Sequence, residues 1–447
     1  MHTKNFHMLL GVLGILVVGF LATQVDFTPD KSQAVSACNY TKTTYPVGCA
    51  ATGTCLIPLT ESTPANIYQT ATGRTVNLGI YGDLTAGEID AHEQEGSLIA
   101  TQKILPRNSS GAVDLVNGKI GVIAIGLSNT TQTWSTALTQ HEQDVTKTFV
   151  NKARADSSVN NSKIVFADGA LGGCQLQCAA GWATCASCGL GNTKFPTLQQ
   201  FILQQVGRAG LTPAQVQVAW VKSANHYVAN DRMEYMTDGF VDLLQKSKIT
   251  LPNLRIALMS SRIYGGYAVK GDNEPYAYEN GLAVREVIYS QVRHQTPRYA
   301  VASGCPTGRT SSMLACPFVP TWNADSLCYE KADGTSSCGP GPTVKIPWVD
   351  WGVYAWANGT RERGDASADY RSRGGDAIDA LGARLKFVAD GYGGAIVDDL
   401  SPSDCQHPGK GGQDKHSGML LHRFKAHPAT YPWFCASGSY CNSLPIP

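Results

Sequence analysis

The chain has 447 residues, with Lys+Arg 36 against Asp+Glu 35 and a formal net charge of +1. That balance carries no electrostatic footprint for nucleic acid or an anionic membrane surface, and a hydrophobic content of 43% excludes a disordered or collagen-like chain. The 14 cysteines point to an oxidising compartment.

Lys4 precedes an apolar run from Met8 to Ala22. At about fifteen residues it has the length of a signal h-region and falls short of the ~20 that a helix needs to span a bilayer. Ala34-Val35-Ser36-Ala37-Cys38 offers a small-residue cleavage site. It also resembles a bacterial lipobox, although a polar stretch separates it from the apolar run. Residues 1–37 are therefore assigned to a signal or N-terminal anchor segment. No second long apolar stretch is present, so the remainder is expected to be soluble and secreted or otherwise extracytoplasmic, whether periplasmic or anchored at the cell surface. Residues 38–118 form a Cys-containing lead-in, rich at first in Thr, Ser and Gly.

From Lys119 short β-branched runs alternate with amphipathic stretches. Ile120 to Gly126 is apolar on both faces, as a strand buried in a parallel sheet must be. The pattern predicts a helix over 137–154, a strand over 163–167, a helix over 197–209 and a strand over 216–221. A helix over 236–246, a strand over 254–259 and a helix over 275–292 come next, the last opening on Pro275, a favoured first-turn residue. Residues 298–345 carry Cys305, Cys316, Cys328 and Cys338 among Pro, Gly and Ser, and read as a disulfide-pinned insertion. Helices are predicted again over 376–389 and 418–425, and no internal repeat is visible. This alternation predicts an α/β fold over 119–434, with a parallel sheet, right-handed crossovers and helices on both faces. Residues 435–447 are a C-terminal tail.

In an open parallel sheet, ligands bind beyond the carboxyl ends of the strands, so the segment after each strand is informative. Gly126-Leu127-Ser128-Asn129-Thr130 lies at the end of the first strand, and Asp168-Gly169-Ala170-Leu171-Gly172-Gly173 after the second. Lys222-Ser223-Ala224-Asn225 lies after the third, and Arg262-Ile263-Tyr264-Gly265-Gly266-Tyr267 after the fourth. Asp404-Cys405-Gln406-His407-Pro408 precedes the last helix. A serine hydroxyl is a poor nucleophile until a base, itself oriented by a carboxylate, takes its proton. His407 and Asp404, three apart in one turn, can supply those roles to Ser128. A glycine-turn N–H and the Asn225 amide can supply oxyanion donors.

This set of blocks, ending in Asp404-x-x-His407-Pro408-x-x-x-Gly412-x-x-Lys415, resembles the SGNH (GDSL-type) hydrolase superfamily, in particular its secreted, largely uncharacterised bacterial members. The likeness runs from about Gly79 to Phe434. It implies a three-layer α/β/α flavodoxin-like fold and a cofactor-free carboxylic ester hydrolase that works through an acyl-enzyme. Carried over by motif, Ser128 is the nucleophile and an oxyanion donor through its own N–H, and Gly169 (or Gly172) and Asn225 are further donors. His407 is the general base, oriented by Asp404. Two blocks depart from the family pattern: Leu127 stands where an acid usually precedes the serine, and the third block lacks the Gly-x-Asn-Asp form.

Each residue also has a simpler reading. Ser128 can cap a helix, Gly169 can serve only a positive φ, Asn225 can form a turn, and Asp398 and Asp399 are rivals to Asp404. Arg262 and Tyr264 are candidate substrate-binding residues, or else belong to a turn with packed tyrosines. The Trp-rich run from Pro347 to Trp356 can form a sugar-binding rim or pack the insertion on the sheet. Cys174, Cys178, Cys185 and Cys188 suit two disulfides better than a tetrahedral zinc, because the loop between the pairs is short. Cys435 with Cys441, and Cys49 with Cys55, suit local bridges. The expected partner is a small-molecule or polysaccharide ester, with no nucleic acid, no metal, and membrane contact only through the N-terminus. The rival function is a glycan- or cell-wall-binding protein on the same scaffold. A third reading is a glycosidase using Asp350, Asp398 and Asp399, whose carboxyl groups would have to share one cleft.

Overall fold

Short apolar β-branched runs with no polar face suit strands covered on both sides. Five strands form a parallel sheet in the computed structural model of the chain. The structure describes residues 57–69, 75–174, 176, 197–225, 233–268, 274–296, 322–341, 343–357, 387 and 399–441. A short antiparallel pair, β1 (Ile67–Gln69) and β2 (Thr75–Asn77), precedes β3 (Ile120–Gly126), β4 (Ile164–Asp168), β5 (Val216–Lys222), β6 (Ile256–Met259) and β7 (Trp348–Trp351). The sheet order is β4-β3-β5-β6-β7, with every neighbouring pair parallel. β3 and β5 are buried at every position. The strand that comes first in this sheet thus lies inside it, and the chain proceeds from it to both sides. In such sheets the ends of the two strands at the reversal, here β3 and β5, border the ligand crevice.

The helices are α1 (Ala86–Gln102), α2 (Ser128–Trp134), α3 (Phe149–Ala155), α4 (Leu198–Arg208), α5 (Met233–Thr250), α6 (Tyr276–Val292), α7 (Lys410–Ala426) and α8 (Tyr431–Phe434). Among them α2, α3 and α7 pack together, and α5 packs along α6. The strand expectations hold within two residues, and so do the helices at 197–209 and 275–292.

Three departures have local causes. The single helix expected over 137–154 is instead two 3-10 turns (Thr139–His141 and Val145–Lys147) and α3, with α2 preceding them. Polar side chains there bond to nearby backbone and compete with helix: the Gln143 amide oxygen accepts from Leu138 N–H, and the Asp144 carboxylate from Thr146 N–H. The expected helix over 418–425 begins earlier, at Lys410. Finally, the Trp-rich run contains the edge strand β7, and Trp348, Trp351 and Trp356 are all 0% exposed. They cannot form an exposed sugar rim.

The lead-in also contributes to the core. α1 opens on a capping box, with Thr85 and Glu88 each accepting the other's backbone N–H. Ile99, Ala100 and Ile104 are buried in the same core as β3 and β5. His92 stacks on Trp348 at 4.8 Å between ring centroids and bonds Val349 O through Nε2 at 2.8 Å.

Cys328 and Cys338 are bridged, as are Cys435 and Cys441, which is compatible with an extracytoplasmic protein. No helix among the described residues is long and apolar enough to cross a membrane. The N-terminal segment, Cys49 and Cys55, Cys178, Cys185 and Cys188, Cys305 and Cys316, the helix expected over 376–389 and Asp398 all lie outside the described residues. Cys174 is buried.

Candidate active site

The end of β3 sets the position of Ser128. Gly126 lies opposite Lys222 of β5, and a Cβ on it would run into the Lys222 carbonyl oxygen, so only glycine permits this approach. The chain then turns into α2, whose N-cap is Leu127, without a side-chain capping bond. Ser128 is therefore the first helical residue rather than the cap. Its Oγ lies 2.7 Å from His407 Nε2.

α2 is tied down on several sides. Thr131 and Ser135 donate to the Asp168 carboxylate, each at 2.5 Å. Trp134 Nε1–H donates to Ala167 O at 2.9 Å, and the Thr130 hydroxyl donates to Lys222 O. Burial pushes the Asp168 carboxyl above its usual range, against the pull of the Ser135 and Thr131 hydroxyls.

His407 comes from a compact turn before α7. Leu400 and Pro408 form an antiparallel bridge, and Ser401 N–H donates to His407 O at 2.8 Å. Asp404 folds the turn by accepting the backbone N–H groups of Gln406 and His407 on Oδ1, both at 3.0 Å. Its other oxygen, Oδ2, lies 2.5 Å from His407 Nδ1. Cys405, between them, is buried, has φ 54° and is disulfide-bonded. Burial alone would raise the Asp404 carboxyl, but the hydrogen bond and charge of His407 and the backbone donors outweigh it and hold it at about 2. α7 brings this turn onto the α2–α3 segment. Gln413 Nε2–H donates to Gln132 O at 2.8 Å, Gln143 Nε2–H donates to Pro408 O at 2.6 Å, and Asp414 pairs with Lys147 and Lys152.

The structure thus brings Ser128, His407 and Asp404 into one row. Gly169 is elsewhere: its N–H donates to Ala124 O at 2.9 Å, extending the ladder between β3 and β4. Leu171 N–H then donates to Gly126 O at 2.9 Å, which draws the loop over the end of β3. A Cβ on Gly172 would stand 3.7 Å from Ser128 Cβ, so Gly172 is the glycine beside the serine. Asn225 is buried three residues beyond the end of β5, the strand adjoining β3. Arg262 and Tyr264 are buried, at 5% and 3% exposure, which fits the packed-turn reading rather than a cleft wall. Arg262 N–H donates to Asn280 Oδ1, and Tyr264 packs edge-on against Tyr267 and Trp356.

The rival carboxylates are engaged in the core. Asp399, fully buried, pairs with Lys415 at 2.8 Å. Asp350, fully buried, accepts from Tyr81 and pairs with His427 and Arg423. Neither is free to serve a glycosidase cleft. Asn129, in an Asn-Thr-Thr sequon, is 2% exposed, so the folded protein offers no glycan acceptor there.

Sequence patterning missed His141. It stacks flat on His407, with ring centroids 4.5 Å apart and planes 18° apart. Nothing in its local sequence marks it, because the contact joins segments 266 residues apart. His141, Asp404 and His407 bring nitrogen and oxygen atoms within 4.8 Å of one another. Stacked imidazoles direct their in-plane lone pairs side by side, however, and not toward one tetrahedral centre.

No protein-family model matches the chain, and neither does any curated protein or solved structure.

Proposed function

We propose that the protein is an exported serine ester hydrolase of the SGNH type, acting on an acyl ester of a carbohydrate or another polar alcohol. The observation that carries this reading is the continuous row from Ser128 Oγ to His407 Nε2 at 2.7 Å and from His407 Nδ1 to Asp404 Oδ2 at 2.5 Å. A nucleophile, a base and an orienting carboxylate in hydrogen-bond reach are the requirement for acyl transfer. The sheet order fits as well: it is the 2-1-3-4-5 order of flavodoxin-like three-layer folds, with Ser128 just beyond the end of the strand at the reversal. The two bridged cysteine pairs are compatible with export.

In this reading Ser128 Oγ attacks the acyl carbonyl carbon as its proton passes to His407 Nε2. The bond to the leaving alcohol breaks as that proton is returned to the alcohol oxygen. Water then attacks the acyl-enzyme while Nε2 takes its proton, and Ser128 departs with that proton restored. Asp404 holds the Nδ1 proton throughout and stabilises the imidazolium. The tetrahedral oxyanion is met by the N–H of Ser128, which as the first helical residue has no intrahelical acceptor. Gly172 N–H takes the place expected of Gly169, and the Asn225 amide completes the donor set.

Ser128→Ala is expected to abolish turnover of a chromogenic acyl ester and stoichiometric labelling by a fluorophosphonate, with an unchanged thermal melt. Undiminished turnover in that variant, or a wild-type protein that resists labelling, would overturn the assignment. Acetylated xylan and a series of short- and long-chain acyl esters would then define the substrate.

A further inference from the structure

His141 plays no part in the proton row, yet it touches both His407 and the turn that carries it. We infer that His141 is a positioning residue that holds the plane of the His407 imidazole, and the turn carrying it, so that Nε2 stays on Ser128. The inference rests on the esterase reading for its catalytic meaning.

An imidazole tethered only at Cβ can swing about its ring bond, and a swing of about 1 Å at the reacting atom can cost on the order of a hundredfold in rate. Asp404 fixes one edge of the His407 ring through Nδ1. Nothing on that edge prevents tilting out of plane. The flat contact with His141, at 4.5 Å and 18°, covers one face and limits that motion. His141 is itself held: it is 5% exposed and ends a 3-10 turn. Its Nδ1 lies 2.8 Å from Ser401 Oγ and 3.1 Å from Ser403 Oγ.

Those hydroxyls belong to the same turn as His407. Ser401 N–H donates to His407 O at 2.8 Å, and Ser401 O accepts from Cys405 N–H at 2.9 Å. His141 therefore grips the first limb of the turn by a hydrogen bond and the second limb by its ring face, closing a clamp around Asp404. Burial first, and the charge of His407 second, keep His141 below the usual histidine range, against the pull of Asp404. His407 accordingly meets a neutral ring, rather than a second cation, when it carries the serine proton.

The test uses the full-length protein with His141→Ala, His141→Phe and His141→Asn, each checked by thermal melt. With para-nitrophenyl acetate, kcat in the Ala variant is expected to fall by about tenfold to a hundredfold with KM unchanged, and the fluorophosphonate labelling rate to fall in parallel. Phe restores the flat face and should recover most of the rate. Asn restores only a hydrogen-bonding group near Ser401 and should stay low. In NMR spectra the His407 Hε1 signal should lose its ring-current displacement in the Ala and Asn variants and keep it in the Phe variant. Wild-type kcat in the Ala variant, a loss confined to KM, or His407 signals unmoved by His141→Ala would each overturn the inference. If the wild type itself neither turns over nor labels, it is the esterase reading that fails. The His407 signals then still decide whether His141 holds the ring.

Discussion

Asp404 divides its two oxygens between tasks that are often served by separate residues. Oδ1 builds the turn by accepting two backbone N–H groups, and Oδ2 meets His407 Nδ1, the ring that serves as base in the proposed mechanism. Asp404→Asn keeps the shape, but its amide NH2 opposes the Nδ1–H and favours the wrong imidazole tautomer. In the serine-protease template this exchange lowers kcat on the order of 10⁴-fold. A similar collapse in ester turnover is expected here, with fluorophosphonate labelling slowed to match. The sign of the pH effect is set by the carboxyl lying at about 2, below its ordinary 3.8. Its contribution to stability is present above the ordinary value and is lost as pH falls through about 2. Any loss of activity between pH 7 and 4 therefore belongs to another group, and the Asp404 carboxyl signal in an NMR titration should remain that of the ionised form across this range.

At the scale of elements, α1 and β7 depend on each other. A Cβ on Gly96 of α1 would fall inside the indole of Trp348, and Trp348 Nε1–H donates to His92 O at 3.2 Å on the same helix. Gly96→Ala should improve helix propensity and still destabilise the protein, by about 1–3 kcal/mol, because overpacking a filled site outweighs the propensity gain. A urea melt would register this as a lower midpoint with unchanged slope. The same pair shows what the amino-acid sequence conveyed and what it did not. β3 and β5 were legible because their apolar runs have no polar face, and their placement led to Ser128. β7 was not, because Trp348-Val349-Asp350-Trp351 has aromatic residues that suit a surface rim as well as a core. Asp350 broke the apolar signal, and only tertiary contacts with Tyr81, His427 and Arg423 explain its burial. Asp404 and His407 were legible because a three-residue spacing is local information. His141 was not, since ring stacking across distant segments leaves no periodic trace. Gly172 rather than Gly169 stands beside Ser128 because the β3–β4 ladder runs on to residue 169, a register that only the paired strands determine.

Over the molecule as a whole, the buried histidines predict acid sensitivity. His92, His416 and His427 are at most 7% exposed, and burial pushes all three below their ordinary 6.5, His427 to about 4. In the unfolded chain these rings take up protons near 6.5, whereas the folded protein resists until much lower pH. Their contribution to stability is therefore full above about pH 6.5 and declines as pH falls toward about 4, where that of His427 is exhausted. The urea midpoint should drop between pH 7.5 and 5, and His427→Gln should reduce that drop. An unchanged midpoint over this interval would show that the histidines titrate alike in both states.

The hydroxyl of Ser128 and the ring nitrogen it meets are 279 positions apart. During translation Ser128 therefore emerges well before His407, and in the proposed esterase the serine waits 279 residues for its base. A product that stops short of residue 407, through premature termination or proteolysis, can retain β3 and α2 and still be chemically silent. If the proposed activity is present, it reports that synthesis has passed residue 407.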